Sequence, residues 1–287
     1  YVLPCDRQGS PTLAAFMEPA LIYELIVMLA AAGMLSGLLA GLLGVGGGIV
    51  LVPVLDFALH RGGFPAEWCL HVAVATSLAS IVPTSIVSSR AHHARGAIDA
   101  PLAAAWAPGM VLGGLAGSLL AARVADGLLA TLFGVVAALA AVTMFLPLDR
   151  LRLSDRVPRG LTGTLLAAAI GSVSAMMGIG GGTLAVPTMS LTGAPIHTAV
   201  GTAAFFGLLL AVPGTLAYLF ATSAPPLPGM TVGLVSGAAL LVVTPLAMLT
   251  APLGARLAHA LPRRTLTRVF GVFLCLVALR MAQRALT

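Results

Sequence analysis

Two glycine runs offer an exposed backbone inside otherwise apolar sequence. Gly44-Val45-Gly46-Gly47-Gly48 and Gly178-Ile179-Gly180-Gly181-Gly182 each interrupt a hydrophobic stretch, and each is followed by a proline, Pro53 or Pro187. Consecutive glycines cost a helix roughly 1 kcal/mol each relative to Ala, and a proline removes a helical hydrogen bond. Together they describe a chain that breaks and restarts. A restarting helix presents unpaired N–H groups and the positive end of its dipole. Such an end holds an anion without a cationic side chain. The chemistry on offer is recognition of a small, oxygen-rich anion by Gly46, Gly47, Gly48, Gly180, Gly181 and Gly182. The hydroxyls of Ser36, Thr76, Ser77, Ser80, Ser174, Thr183 and Thr202 are candidates to complete its shell. Glycine also serves packing. The four-residue stripes Gly33, Gly37, Gly41 and Gly109, Gly113, Gly117 read as close helix contacts.

The remaining polar residues are few. His71 and His197 stand near the starts of two apolar segments, as interfacial residues or as contacts for a cargo or proton. His92, His93 and Arg95 fall in a loop, either simply solvated or forming a vestibule that attracts anions. Asp56 lies inside a short apolar segment, close to His60 and Arg61, and reads equally as membrane-buried or surfacing. No chain of buried acids and histidines like that of a proton pump is expected. With no Lys, no HExxH and no paired intramembrane carboxylates, the chain is not expected to be an enzyme. Cys5, Cys69 and Cys275 are isolated, so neither a metal nor a cofactor is expected.

The elements that must position these residues are membrane spans. Of 287 residues, 59% are hydrophobic and 8% charged, against about 25% charged in soluble domains. Long apolar segments near 21–43, 69–89, 101–121, 128–147, 161–177, 198–221, 230–255 and 266–283 predict eight long helices. The segments 49–59 and 183–192 predict two half-helices after the glycine breaks, suited to the return arms of re-entrant hairpins. The chain starts at Tyr1 rather than Met, and no leader pattern is expected ahead of the first segment.

The sequence also repeats. Gly37, Gly44, Gly46, Gly47, Gly48, Val52 and Pro53 match Gly171, Gly178, Gly180, Gly181, Gly182, Val186 and Pro187. His71, Ala73, Val74 and Thr76 match His197, Ala199, Val200 and Thr202, and Pro108, Gly117, Phe133 and Gly134 match Pro245, Gly254, Phe270 and Gly271. The predicted division is an extramembrane segment 1–20, a first half 21–147, a cytoplasmic linker 148–160 and a second half 161–287. Each half has an odd number of crossings, so the second is inverted, as in many secondary transporters. The fold class expected is therefore an all-α polytopic membrane protein of two inverted-topology repeats. All 15 basic residues are Arg. Arg90, Arg95, Arg150, Arg152, Arg156, Arg159, Arg256, Arg263, Arg264 and Arg268 collect on one face, and Arg7, Arg61, Arg123, Arg280 and Arg284 on the other. The richer face is expected in the cytoplasm, with both termini periplasmic. Arginines set between long apolar runs are not a nucleic-acid surface.

At this point the sequence resembles the TauE/SafE sulfite exporter family, over roughly residues 30 to 280. The resemblance rests on Gly44-x-Gly46-Gly47-Gly48-x4-Pro53, Gly178-x-Gly180-Gly181-Gly182-x4-Pro187, Thr76-Ser77, His93-x-Arg95-Gly96 with Asp99 following, and Gly113-x3-Gly117. It implies a bacterial inner-membrane protein that moves sulfite, sulfoacetate or related organosulfonates. Thr202 is followed by Ala203 where the family often has Ser, and His-x-Arg-Gly has no second copy, which implies an asymmetric site. The expected function is export of a small sulfur anion bound at the midplane between the breaks, with membrane lipid as the other partner. Another small anion or sulfur species (thiosulfate, sulfide, a carboxylate) is an open alternative, as is a non-transporting assembly or sensor protein. Moving one negative charge outward gains about 2.3 kcal/mol per 100 mV, so export by uniport is the expected mode. Oligomeric state is not legible.

Overall fold

The computed structural model describes residues 19–44, 46–145, 154, 157–221, 227, 230–260 and 263–286. Nearly all of the expected segment 1–20 and most of the linker 148–160 lie outside the described residues, with Val45 and the topology arginines Arg7, Arg150, Arg152 and Arg156.

The first half forms α1 (Pro19–Leu43), α2 (Gly48–Arg61), α3 (Ala66–His93), α4 (Ala100–Ala121) and α5 (Asp126–Phe145). The second forms α6 (Gly160–Met176), α7 (Gly182–Leu191), α8 (Ile196–Leu219), α9 (Gly237–Ala260) and α10 (Arg263–Leu286). Among the described residues six helices, α1, α3, α4, α5, α8 and α9, are long and apolar enough to cross a bilayer. The protein is an all-α multi-pass membrane protein. The segment expected at 161–177 yields a helix of 17 residues, because the second glycine break ends it. The segment expected from 230 does not start as helix. Thr231–Val232 (β1) pairs antiparallel with Val235–Ser236 (β2), turning at Gly233 with φ 57°, and α9 begins only at Gly237.

Packing between helices follows small residues, as it must where lipid is as apolar as the side chains. Gly33, Gly37 and Gly41 of α1 face Val243, Ala247 and Ala251 of α9. A Cβ on Gly33 would sit 2.8 Å from the Val243 carbonyl. Gly109, Gly113 and Gly117 of α4 face Thr164, Ala168 and Ser172 of α6 in the same way. In both pairs the residue numbers advance together, so the helices run parallel. The first helix of each half thus packs on the fourth helix of the other.

The other contacts obey the same exchange. α3 packs on α8 and α5 on α10; α4 packs on α8 as α9 does on α3; α2 meets α10 as α7 meets α5. The counterparts α3 and α8 cross antiparallel, since Gly214, Gly207 and Gly201 meet Leu78, Ser85 and Ala97 in turn. Two copies of one motif lying antiparallel at the centre are related by inversion across the membrane.

Each half opens with a hairpin. α2 begins where Gly47 lies against Ser36 and ends where Gly62 would bring a Cβ to 4.0 Å from Leu25 Cδ1. It therefore runs back along α1 toward the face where α1 started. The end of α3 returns to the end of α1, with His92 Nε2 3.0 Å from the Gly41 carbonyl oxygen. In the second half the Ser154 N–H meets the Leu191 carbonyl, so α7 ends at the face where the linker lies.

Candidate functional site

The two glycine breaks meet. A Cβ on Gly46 would fall 2.6 Å from Gly180 Cα, and one on Gly48 would fall 2.9 Å from Ile179 Cα and from Ser77 Oγ. Ser77 donates a 2.7 Å hydrogen bond to the Gly178 carbonyl, tying α3 of one half to the break of the other. The flanks are symmetric: Gly44 abuts Val200, and its counterpart Gly178 abuts Val74, the counterpart of Val200. Backbone lies against backbone, and the two breaks close the space between Gly46 and Gly180.

The geometry of the two breaks differs. Gly44, Gly46 and Gly47 hold φ of 66°, 79° and 68°, whereas in the second break Gly178 does so at 64° and Gly181 is helical at −54°. The first break is a run of left-handed turns open to glycine alone. The second tightens at one residue and then starts α7 directly. The glycine runs were expected to act with the prolines, but Pro53 and Pro187 lie inside α2 and α7, past the break itself.

Ser80 is buried within α3, and the other six candidate hydroxyls divide into two sets. Ser36, Ser77, Ser174 and Thr183 gather at the breaks. The carbonyl and hydroxyl of Ser36 press on Gly47. Ser174 Oγ and Thr183 Oγ1 are buried beside the second break and make no hydrogen bond among the described residues. Thr76 and Thr202 instead hold the two halves together. Thr202 Oγ1 accepts from the Asp99 N–H at 3.0 Å, and Thr76 Oγ1 accepts from the Ser236 N–H at 2.9 Å. Asp99 and Ser236 open α4 and α9, and their side chains accept from the N–H groups of Leu102 and Ala239. One capping lock is used twice.

The histidines do not converge on the breaks. His71 lies at the start of α3, with Nε2 2.9 Å from the Val124 carbonyl and its ring against Trp68. His197 is exposed at the start of α8. His93, the last residue of α3, and Arg95 just past it are exposed, and Arg95 donates to the Ala91 carbonyl.

The structure also assembles a cluster of acids and histidines that the sequence did not show as one. Asp56 is 2% exposed and its Oδ2 lies 3.1 Å from Arg284 Nε. The same guanidinium lies 3.1 Å from Asp126 Oδ2 and donates to His60 Nε2 at 3.2 Å. His71 Nδ1 stands 3.6 Å from Asp126 Oδ1. Four helices contribute: α2, α3, α5 and α10. Beside this cluster an open cavity of about 220 Å³ is lined by Asp56, Phe57, His60, Arg61, Arg280 and Arg284. Arg61 and Arg280 both lie over the Phe57 ring, at 5.4 and 5.8 Å.

Inverted repeats, paired re-entrant hairpins and a closed central crossing are the build of a membrane carrier. The chain belongs to the TauE/SafE sulfite exporter family, whose profile matches residues 29–281. It is 32% identical over 261 residues to a probable membrane transporter protein of Haemophilus influenzae, covering 91% of this chain and 99% of that one. It is 24% identical over 271 residues to the probable membrane transporter protein YunE of Bacillus subtilis, covering 88% and 95%. A probable membrane transporter protein of Methanocaldococcus jannaschii is 27% identical over 206 residues, covering 69% and 74%. No solved structure matches. The protein is thus a membrane transporter that passes a small molecule, not an enzyme.

Proposed function

We propose that this transporter carries a small sulfur oxyanion or organosulfonate, such as sulfite or sulfoacetate, outward across a bacterial inner membrane. The cargo passes where the two glycine breaks meet. The observation that carries this reading is the pairing of restarted helices α2 and α7 with the unsatisfied hydroxyls of Ser174 and Thr183. Helix starts supply N–H groups and a favourable dipole to an anion. Unsatisfied buried hydroxyls are rare in settled structures and donate well to sulfur oxygens. Gly46, Gly47, Gly48, Gly180, Gly181, Gly182, Ser36 and Ser77 form the rest of the candidate lining. Thr76 and Thr202 act by holding the halves, and His93 and Arg95 lie at the cytoplasmic mouth.

Arginine placement supports the orientation. Arg90, Arg95, Arg159 and Arg256 lie on the linker face, and Arg61, Arg123, Arg280 and Arg284 on the other. The linker face is cytoplasmic and the face where α10 ends is periplasmic. An anion leaving the cell moves down the membrane potential.

Thermal unfolding of the purified protein in sulfite, sulfate, thiosulfate, sulfoacetate and taurine tests the cargo. Sulfite or sulfoacetate should raise Tm, and sulfate and taurine should not. Thr183→Val, nearly isosteric, should weaken that stabilisation by about 1 kcal/mol in binding. A protein stabilised by none of the five does not carry this class of anion.

A further inference from the structure

The hydrogen bonds around His71 leave one proton unaccounted for. Nε2 lies 2.9 Å from the Val124 carbonyl oxygen, which only accepts, so Nε2 bears the hydrogen. In a neutral imidazole Nδ1 then carries a lone pair. It faces Asp126 Oδ1 at 3.6 Å, and neither atom has a hydrogen-bond donor among the described residues. Two acceptors facing each other in a buried place repel unless a proton lies between them.

Charge counting gives the same answer. Asp56 and Asp126 share one guanidinium, that of Arg284. His60 Nε2 accepts from Arg284, and its Nδ1 lies 3.1 Å from the Asp56 carbonyl oxygen and 3.7 Å from Asp56 Oδ1. Two carboxylates and one guanidinium leave a net charge of minus one. Asp56 is 2% exposed, while Asp126 and Arg284 are 18% and 15% exposed, so water screens this charge only in part. Of the groups around the cluster, Arg280 adds an outer positive charge that acts on Asp56 across the cavity they both line. Arg61 of α2 is turned to Glu24 of α1 at 3.9 Å, both of them half-exposed. Arg280 of α10 is exposed over Phe57, and Cys69 of α3 points its thiol at backbone carbonyls.

We infer that His71 and Asp126, clamped by Arg284 against Asp56, form a proton-binding site whose occupancy is coupled to anion passage. The proton comes from water on the face where α10 ends and is shared by His71 Nδ1 and Asp126 Oδ1; no other bond is made or broken. The coupling runs through α2. Asp56 lies about 12 Å along the short helix that the first break starts. With the proton bound, Arg284 holds both acids and α2 stays docked. With the proton gone, Asp126 and Asp56 compete for one cation, and α2 is freed to move its glycine end. The second half has no such site, since Ser190 stands where Asp56 stands in the first. The coupling clause rests on the anion-transport reading above; the proton site itself does not.

Two measurements test it separately. Nitrogen NMR of histidine-labelled protein in nanodiscs, with the signal assigned by His71→Gln, reads Nδ1 directly. A shared proton that disappears in Asp126→Asn supports the site; a bare Nδ1 beside an ionised Asp126 throughout about pH 5 to 8 overturns it. In proteoliposomes, counterflow of sulfoacetate, whose own charge hardly changes there, should vary about tenfold over that range in the wild type. Each of His71→Gln and Asp126→Asn should flatten the profile's shape, whatever its height. A wild-type profile in both variants overturns the coupling. If sulfite and sulfoacetate both fail to exchange in the wild type, the transport reading fails for these cargoes and the coupling falls with it, while the NMR result still decides the proton site.

Discussion

Gly47 and Gly181 are the same residue in two copies of one motif, yet substitution should not treat them alike. Gly47 sits at φ 68° with the Ser36 carbonyl and hydroxyl against the place of a Cβ. Gly181 is helical, and its added Cβ would meet Leu210 Cδ2 at 3.0 Å and Phe206 Cβ at 3.3 Å, both on side chains. Gly47→Ala should therefore cost more than about 2 kcal/mol, from left-handed strain plus overpacking. Gly181→Ala should cost under about 1.5 kcal/mol. Reversible unfolding in detergent measures the difference, and equal losses would mean that the first break relaxes to a helical form. The importance of these glycines was legible because it is written in consecutive letters. Their difference was not, since it depends on what each break touches.

At the scale of helices, the capping locks make a sharper test than the glycine stripes. Thr202→Val removes the acceptor for the Asp99 N–H and leaves shape unchanged, so it should lower stability by about 1 kcal/mol. Thr76→Val should do the same at Ser236. The double variant should lose close to the sum, because the locks belong to opposite ends of the crossing. Strong non-additivity would show that the two locks act as one. Arg284→Met should cost more than either, about 3 to 5 kcal/mol, by leaving Asp56 and Asp126 buried without their cation; adding Asp56→Asn should recover part of it. Neither the locks nor the cluster could be read from sequence. Asp56, His71, Asp126 and Arg284 come from four helices, and Arg284 on its own looks like one more topology arginine. The strand pair before α9 was hidden for another reason: Leu234 and Val235 keep the apolar run unbroken through a turn.

For the whole molecule, the repeat and its inversion were legible because duplicated landmarks keep their order and each half carries an odd number of crossings. Orientation is the matching prediction. In a background with Cys5, Cys69 and Cys275 replaced by Ser, a thiol introduced by Arg61→Cys should react with an impermeant maleimide in intact spheroplasts. One introduced by Arg95→Cys should react only after permeabilisation. The reverse pattern would turn the molecule over and make the linker face external.

The pairing of α1 with α9 bears on how the chain is made. α1 leaves the ribosome first among the described helices, but the partner for its glycine face comes only after nearly all the remaining chain. Until then Gly33, Gly37 and Gly41 have lipid alone to fill a groove shaped for a backbone. A chain arrested after α8 would hold α4 against α6 yet leave the glycine face of α1 without its helix. The two halves are therefore not separable modules: each is completed by a helix of the other, and assembly cannot finish until synthesis nearly has.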